Sequence, residues 1–348
     1  MTLQSLLRAN IRQLTPYASA RDEYKGTDAI FLDANENPFD TGYNRYPDPY
    51  QRKLKERIVA LKGHGLAPEQ LFLGNGSDEG IDLLLRAFCE PGQDNVVAID
   101  PSYGMYQVCA DTHGIAVRKV LLRPDFSLDP EALLAAVDAH TKVIFLCSPN
   151  NPTANALDPK AMQWLLDRFQ GLLVIDEAYI DFAPEATALP WLQAYERLIV
   201  LQTFSKAWGL AGIRLGMAFA HREVIAVMNK IKMPYNINAL TQQYALEVLS
   251  DTTKKDAYVA QILSERARLA QALPSLPCIL EVYPSDANFL LAKTTDAQGL
   301  YDALVARGIV VRNRSKVALC AGCLRLTVGT PAENDALLAA LEAICKAQ

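Results

Sequence analysis

Between residues 71 and 202, five short apolar runs each break off into a polar motif, and that rhythm limits what the chain can fold into. Leu71-Phe72-Leu73 leads into Gly74-Asn75-Gly76-Ser77-Asp78-Glu79-Gly80, and Val96-Val97-Ala98-Ile99 into Asp100-Pro101-Ser102-Tyr103-Gly104-Met105-Tyr106. Val143-Ile144-Phe145-Leu146-Cys147 leads into Ser148-Pro149-Asn150-Asn151-Pro152-Thr153, and Leu172-Leu173-Val174-Ile175 into Asp176-Glu177-Ala178-Tyr179. Leu198-Ile199-Val200-Leu201-Gln202 completes the series and runs into Thr203-Phe204-Ser205-Lys206. Uninterrupted apolar strands separated by helical patterns are strands buried on both faces, the mark of a mostly parallel sheet. In such sheets ligands sit beyond the carboxyl ends of the strands, which is where the polar motifs fall. The predicted fold class is α/β, a mostly parallel sheet in a large domain plus a smaller α+β C-terminal domain.

The smaller domain follows from a change of pattern. Residues 255–273 read as a helix, short strands follow near 288–292, 308–312 and 323–328, and a last helix starts at about 332. The predicted division is an N-terminal arm and start of the small domain over 1–40, a large cofactor-binding domain over 41–240 and the small domain over 241–348. Residues 1–28 are mixed and polar, with Leu14-Thr15-Pro16-Tyr17 as an extended arm, and residues 50–62 read as an amphipathic helix. A chain of 348 residues, half of them hydrophobic, fits about two domains with a sizeable core. Its net charge of -5, with no block of Lys and Arg, argues against nucleic acid as the main partner. No apolar run approaches membrane-spanning length and no apolar signal core follows Met1, so the expected location is the cytoplasm. The seven cysteines are odd in number and mostly sit in apolar runs, which predicts reduced thiols. Cys320-Ala321-Gly322-Cys323 is a lone pair, and His64, His113, His140 and His221 are scattered, so no metal is expected.

Several side chains could carry chemistry. Thr203, Ser205, Lys206 and, eight residues on, Arg214 gather hydroxyls, an amine and a guanidinium where a strand ends. An amine there can bond to an aldehyde while the other groups hold a phosphate, and pyridoxal phosphate carries both. Taken alone, a Ser-Lys pair after a strand is more often a solvated loop. The Gly74–Glu79 segment offers free N–H groups at a helix start, suited to a phosphate, or is a turn in which Ser77 or Asp78 caps the helix. Asp176 closes an apolar strand and needs a partner there; a protonated pyridine nitrogen would serve, and so would a role as helix N-cap. Tyr179, three residues on, and Asn151 could hydrogen-bond a ring's phenolic oxygen, although Asn-Pro is also common turn chemistry. Tyr103 could stack on a ring or simply pack. Strand alternation sets Leu324, Leu326 and Val328 on one face and Arg325 on the other. Arg325 is then either solvent-facing or a fork for an anionic substrate group, and Arg312 invites the same two readings.

With these residues assembled, the chain resembles the fold-type I pyridoxal-phosphate aminotransferases and, within them, the histidinol-phosphate aminotransferase family. The likeness runs from Leu14-Thr15-Pro16-Tyr17 to Leu324-Arg325-Leu326-Thr327-Val328-Gly329-Thr330. The motifs at 148–153, 176–179 and 205–206 carry the superfamily; Asn44-Arg45-Tyr46-Pro47-Asp48, residues 100–106 and the 312–325 segment carry the narrower family. The resemblance implies pyridoxal 5'-phosphate as cofactor and reversible amino transfer between L-glutamate and an imidazole-acetol phosphate, a step of histidine biosynthesis. It implies that Lys206 bonds to the cofactor and moves the substrate proton, that Asp176 pairs with the ring nitrogen and that Asn151 and Tyr179 contact the phenolic oxygen. It further implies that Tyr103 stacks on the ring and that Ser77 and Asp78 (through backbone), Thr203, Ser205 and Arg214 surround the phosphate. Tyr46 would reach the cofactor of a partner subunit, so a homodimer with shared sites is implied, and Tyr17, Tyr235, Arg312 and Arg325 would line the site for glutamate and histidinol phosphate. Ala154 stands where the family usually has glycine; if that position needs a positive φ, the loop must differ slightly. A threonine-phosphate decarboxylase or an aromatic aminotransferase would share the cofactor site, because a few pocket contacts set specificity. A cofactor-sensing regulatory domain would need an attached DNA-binding module, for which residues 1–28 are too short.

Overall fold

The computed structural model describes residues 2–16 and 29–347. The apolar runs form strands of one seven-stranded sheet: β1 (Leu71–Asn75), β2 (Asn95–Asp100), β3 (Ala116–Leu121), β4 (Thr141–Cys147), β5 (Leu172–Asp176), β6 (Leu198–Thr203) and β7 (Leu215–Ala220). Their order is β1-β7-β6-β5-β4-β2-β3. Only β7 runs against its neighbours, pairing antiparallel with both β1 and β6. Strand alternation splits the core into two layers. Leu173, Ile175, Leu198 and Val200 face one layer, while Leu172, Val174, Ile199 and Leu201 face the other. Full burial of each such side chain is worth about 1.5–3 kcal/mol, which is why the strands read as unbroken apolar runs.

Two of the seven strands were not visible as apolar runs. β3 is an edge strand carrying Arg118 and Lys119, and it is largely exposed. β7 is fully buried but built from Leu-Gly-Met-Ala-Phe-Ala. Its Gly216 is a packing requirement, since a Cβ there would lie 2.1 Å from the backbone nitrogen of Ser77.

The second sheet has four strands, β8 (Ile279–Val282), β9 (Phe289–Thr294), β10 (Arg312–Asn313) and β11 (Cys323–Thr327), in the antiparallel order β10-β11-β9-β8. Helices Thr253–Ala272, Ala297–Val305 and Pro331–Ala347 accompany it. One face of this sheet, with Leu290, Leu324 and Leu326, packs with Leu269, Leu300 and Leu341. From its other face Leu291 and Cys323 join the core of the large sheet, so Arg325, between Leu324 and Leu326, turns toward the large sheet and away from solvent.

The N-terminal segment holds two short helices, Leu3–Leu6 and Ala9–Gln13, where the sequence reads only as polar. Leu3, Leu6, Leu7 and Ile11 are buried against the large sheet's layer, and the Arg8 guanidinium donates to the Glu90 carboxylate at 3.1 Å and to the Arg86 carbonyl at 2.9 Å. The predicted helix over 50–62 is Arg52–Lys62.

Ala154 has a φ of 71° and is fully buried, so an alanine occupies a left-handed position of the kind that favours glycine. The conformation costs an alanine about 1–2 kcal/mol, offset by packing of its methyl among Tyr179, Phe182 and Phe289. Cys278 and Cys345 form a disulfide with Cα atoms 5.6 Å apart, a departure from the expectation of reduced thiols throughout. Cys89, Cys109, Cys147, Cys320 and Cys323 are free and buried. Among the described residues, no helix is long and apolar enough to cross a membrane.

Candidate active site

Beyond the carboxyl ends of β4, β5 and β6 lies a cavity of about 170 Å3. Its lining includes Ser77 and Asp78 from the start of the helix Ser77–Phe88, Tyr103, Asn151, Asp176 and Tyr179, together with Thr203, Ser205, Lys206 and Arg214. The polar motifs converge because the parallel strands all end on this side.

The helix Ser77–Phe88 is capped by Gly76, with φ of 76° and no side-chain cap. Ser77 and Asp78 are therefore the first helical residues rather than the cap, and their N–H groups have no intrahelical acceptor. The Asp78 carboxylate accepts instead from the Tyr103 hydroxyl at 3.2 Å. Gly76 makes room for Arg214: a Cβ would lie 2.7 Å from its Nη2. Across the cavity the Thr203 hydroxyl donates to Ser205 Oγ at 3.0 Å, and the Ser205 N–H returns a bond to Thr203 Oγ1 at 3.1 Å. N–H groups at a helix start, two hydroxyls and a guanidinium form a cradle for an anion.

Asp176 sits at the cavity floor, 2% exposed. One carboxylate oxygen accepts from the Tyr106 hydroxyl at 2.9 Å and the other from the Ala178 N–H at 3.1 Å. Burial pushes its carboxyl up to about 6, and those two hydrogen bonds oppose the shift. The Lys206 amine is pulled below the usual lysine range, first by burial and then by the Arg325 charge. It lies 5.6 Å from the centre of the Tyr179 ring. Asn151 connects two parts of the site: its amide donates to the Tyr179 hydroxyl at 3.3 Å, and its Oδ1 accepts from Arg325 Nη1 at 2.5 Å. The donor set suits pyridoxal phosphate. It offers an anion cradle, a buried carboxylate for a ring cation, an amine for an aldehyde, and Tyr103 at the wall for a ring face. Among the described residues, no group of three His, Cys, Asp or Glu side chains could hold a metal.

Besides Arg325, three predicted site residues lie outside this cavity's lining. Tyr46 and Tyr235 stack on each other at 4.4 Å in a larger, open cavity of about 930 Å3 that also takes in Glu36 and Arg45. Arg312 is exposed, but it lies directly opposite Arg325 on the same face of the second sheet, outside the cavity's lining. Tyr17 falls outside the described residues. Three residues were missed by sequence reasoning. Tyr106 orients Asp176, and its signal was its place three residues after Tyr103 in one helical start. Glu177, fully buried and pushed up to about 7 by burial, accepts from Ala188 N–H, Thr187 Oγ1 and Gln202 Nε2 at 2.5, 2.8 and 2.8 Å. It ties the 187–188 loop to the strand end that carries Asp176. Arg314 is the third, in the same segment as Arg312.

Comparison with known proteins agrees with this geometry. Residues 27–341 match the family described as aminotransferase class I and II. A histidinol-phosphate aminotransferase of Parabacteroides distasonis is 56% identical over 340 residues, 98% of each chain, and that of Cytophaga hutchinsonii is 52% identical over 345 residues. The crystal structure of the histidinol-phosphate aminotransferase from Clostridium acetobutylicum superposes with a TM-score of 0.81 at 25% identity, covering 88% of this chain and 92% of that one. The Sinorhizobium meliloti histidinol-phosphate aminotransferase, solved in complex with pyridoxal-5'-phosphate, gives 0.78 at 26% identity over 87% and 83%. With a match over most of its length and relatives above half identity, the chain belongs to the aminotransferase class I and II family.

Proposed function

We infer that the chain is a pyridoxal-phosphate enzyme that moves an amino group between L-glutamate and 3-(imidazol-4-yl)-2-oxopropyl phosphate, the histidinol phosphate reaction. The observation that carries this is Asn151, whose side chain joins Tyr179 in the cofactor cavity to Arg325 beside it. The same amide would then serve the cofactor's ring and the guanidinium that receives the substrate anion. The identity of 56% to a histidinol-phosphate aminotransferase supports the substrate class.

When bound, pyridoxal phosphate supplies an aldehyde for the substrate amine and a ring that withdraws electrons from the reacting carbon. The residues do the rest. Ser77 and Asp78 N–H groups, the Thr203 and Ser205 hydroxyls and Arg214 would hold the phosphate. Asp176, fixed at both oxygens, would keep a proton on the ring nitrogen. Asn151 and Tyr179 would donate to the phenolic oxygen, and Tyr103 would offer its ring to the cofactor's face. Lys206, with its amine held below the usual range, has a larger neutral fraction near neutral pH. It would take the proton from the substrate Cα and deliver it to the cofactor carbon that carried the aldehyde, on the far side of the nitrogen, the work of a general base tuned toward the working pH. Arg325 takes a carboxylate in one half-reaction and a phosphate in the other, since both present oxygens at bidentate spacing.

We also propose a homodimer. Tyr46, Ile30, Leu32, Phe39, Met233 and Leu240 are all exposed, and a second copy would cover them. Tyr46 would then complete a partner's phosphate cradle and Tyr235 a partner's substrate site. The two sheets are proposed as cores of the domains over 41–240 and 241–348, with Leu3, Leu6, Leu7 and Ile11 of the N-terminal arm packing on the first. A cytoplasmic location fits the five free buried thiols, and the Cys278–Cys345 bond is the feature that runs against it.

One panel tests the reaction: the purified holoenzyme with L-glutamate alone, histidinol phosphate, phenylalanine and threonine phosphate. The expected result is a glutamate half-reaction and the highest kcat/KM with histidinol phosphate. Better use of phenylalanine would make the enzyme an aromatic aminotransferase, and carbon dioxide release from threonine phosphate would make it a decarboxylase.

A further inference from the structure

We propose that Arg314 is a third anion-reading residue, beside Arg312 and Arg325, that selects a phosphorylated substrate by meeting its second negative charge; the proposal rests on the reaction inferred above. Arg312 lies directly across the strand pair from Arg325, and the Arg314 N–H continues the ladder to the Cys323 carbonyl at 2.8 Å. Strand alternation then turns Arg314 to the same side as Arg325, toward the large sheet. The charge of Arg314 acts on Arg325, that of Arg312 acts on both, and Tyr179 lies within reach of each pair. Among the described residues, no Asp or Glu charge acts on either guanidinium.

The hydrogen-bond inventory points the same way. Arg325 spends one N–H on Asn151, and its Nε is buried without an acceptor. Arg314 is half-buried, its Nε is likewise buried without an acceptor, and among the described residues its side chain donates to nothing. A guanidinium drawn partly out of water without an acceptor destabilises the fold, and two set side by side also repel. An anion between them would supply the missing acceptors and offset the repulsion. A carboxylate needs one fork. A phosphate monoester carries about -1.5 to -2 charge near neutral pH and presents three acceptor oxygens, which calls for more than one. Packing of an aliphatic stem against Cys320 and Cys323 is the purely structural alternative, and it makes different predictions.

The test compares Arg314→Gln and Arg314→Met with wild type as holoenzymes. Met keeps the packing of the stem and serves if the Gln variant does not fold. Loss of one hydrogen-bonded charge predicts a fall of about tenfold to a hundredfold in kcat/KM for histidinol phosphate, mostly through KM. The glutamate half-reaction, followed by the absorbance of the bound cofactor, should stay within about twofold. A second readout is the pH profile. The second ionisation of a phosphate monoester falls near pH 6, so the wild-type ratio of histidinol phosphate to glutamate kcat/KM should rise through that pH, and the rise should flatten in both variants. Equal losses on both substrates, or an unchanged ratio and pH profile, would overturn the assignment. A wild-type enzyme that processes glutamate but not histidinol phosphate would refute the inferred reaction instead, whatever the variants do.

Discussion

Lys206→Ala should bind pyridoxal phosphate and fail to turn over. The cofactor's phosphate, ring nitrogen and ring face would still meet Arg214, Asp176 and Tyr103, none of which depends on the amine. What disappears is the group that moves the substrate proton, a contribution of about 10²–10⁴-fold to the rate; loss of the covalent attachment adds to it. The position of the amine sharpens the expectation. Lys206 is open to solvent at the cavity, 5.6 Å from the centre of the Tyr179 ring, and close enough to Arg325 for that charge to lower its affinity for a proton. Borohydride reduction of the wild-type holoenzyme should therefore fix the cofactor to the peptide containing Lys206, as read by mass spectrometry. Label on another lysine, or a Lys206→Ala enzyme within tenfold of wild type, would remove the residue from the mechanism.

How far this site could be read from sequence depended on whether its contacts are local. The cavity lining was legible because parallel strands end together: an apolar run followed by a polar motif already says which side chains meet, as with Asp176 after β5 and Lys206 after β6. The links between motifs were not. Tyr106 reaches Asp176 across 70 residues and Arg325 reaches Asn151 across 174, and no spacing rule predicts which rotamers converge. β7 escaped notice because its signal is small residues, and the reason for Gly216 is the Ser77 backbone pressed against it. The Cys278–Cys345 pair, 67 residues apart, was invisible for the same reason: it exists only once the last helix is docked on the second sheet. Tyr46 and Tyr235 mark a different limit. They stack together, and the role predicted for Tyr46 needs a second chain that the sequence of one cannot supply.

Asp176→Asn should make the cofactor-free protein more stable and the holoenzyme nearly inactive. Burial raises the Asp176 carboxyl to about 6, from an ordinary value near 4. Between those values the folded chain keeps a proton that the unfolded chain has released. Stability of the cofactor-free protein therefore falls as pH rises through this window, by about 1.4 kcal/mol per unit. An asparagine imitates the protonated carboxyl, with one acceptor for Tyr106 or Ala178 and no charge to bury. At pH 8 the variant should gain about 1–3 kcal/mol in thermal or denaturant unfolding, and none at pH 4. Glu177, raised to about 7, adds a pH dependence of its own, but it is common to both proteins and cancels in the difference. In the holoenzyme the sign reverses, because the carboxylate is then paired with a ring cation rather than left alone. Losing that charge should slow the glutamate half-reaction by about 10²–10³-fold or more. Tyr106→Phe, which takes away one of the two hydrogen bonds that favour the carboxylate, should act in the same direction at about tenfold. A variant that gains no stability at pH 8, or one that keeps near-normal half-reaction rates, would leave Asp176 as no more than a cap for the Ala178 N–H.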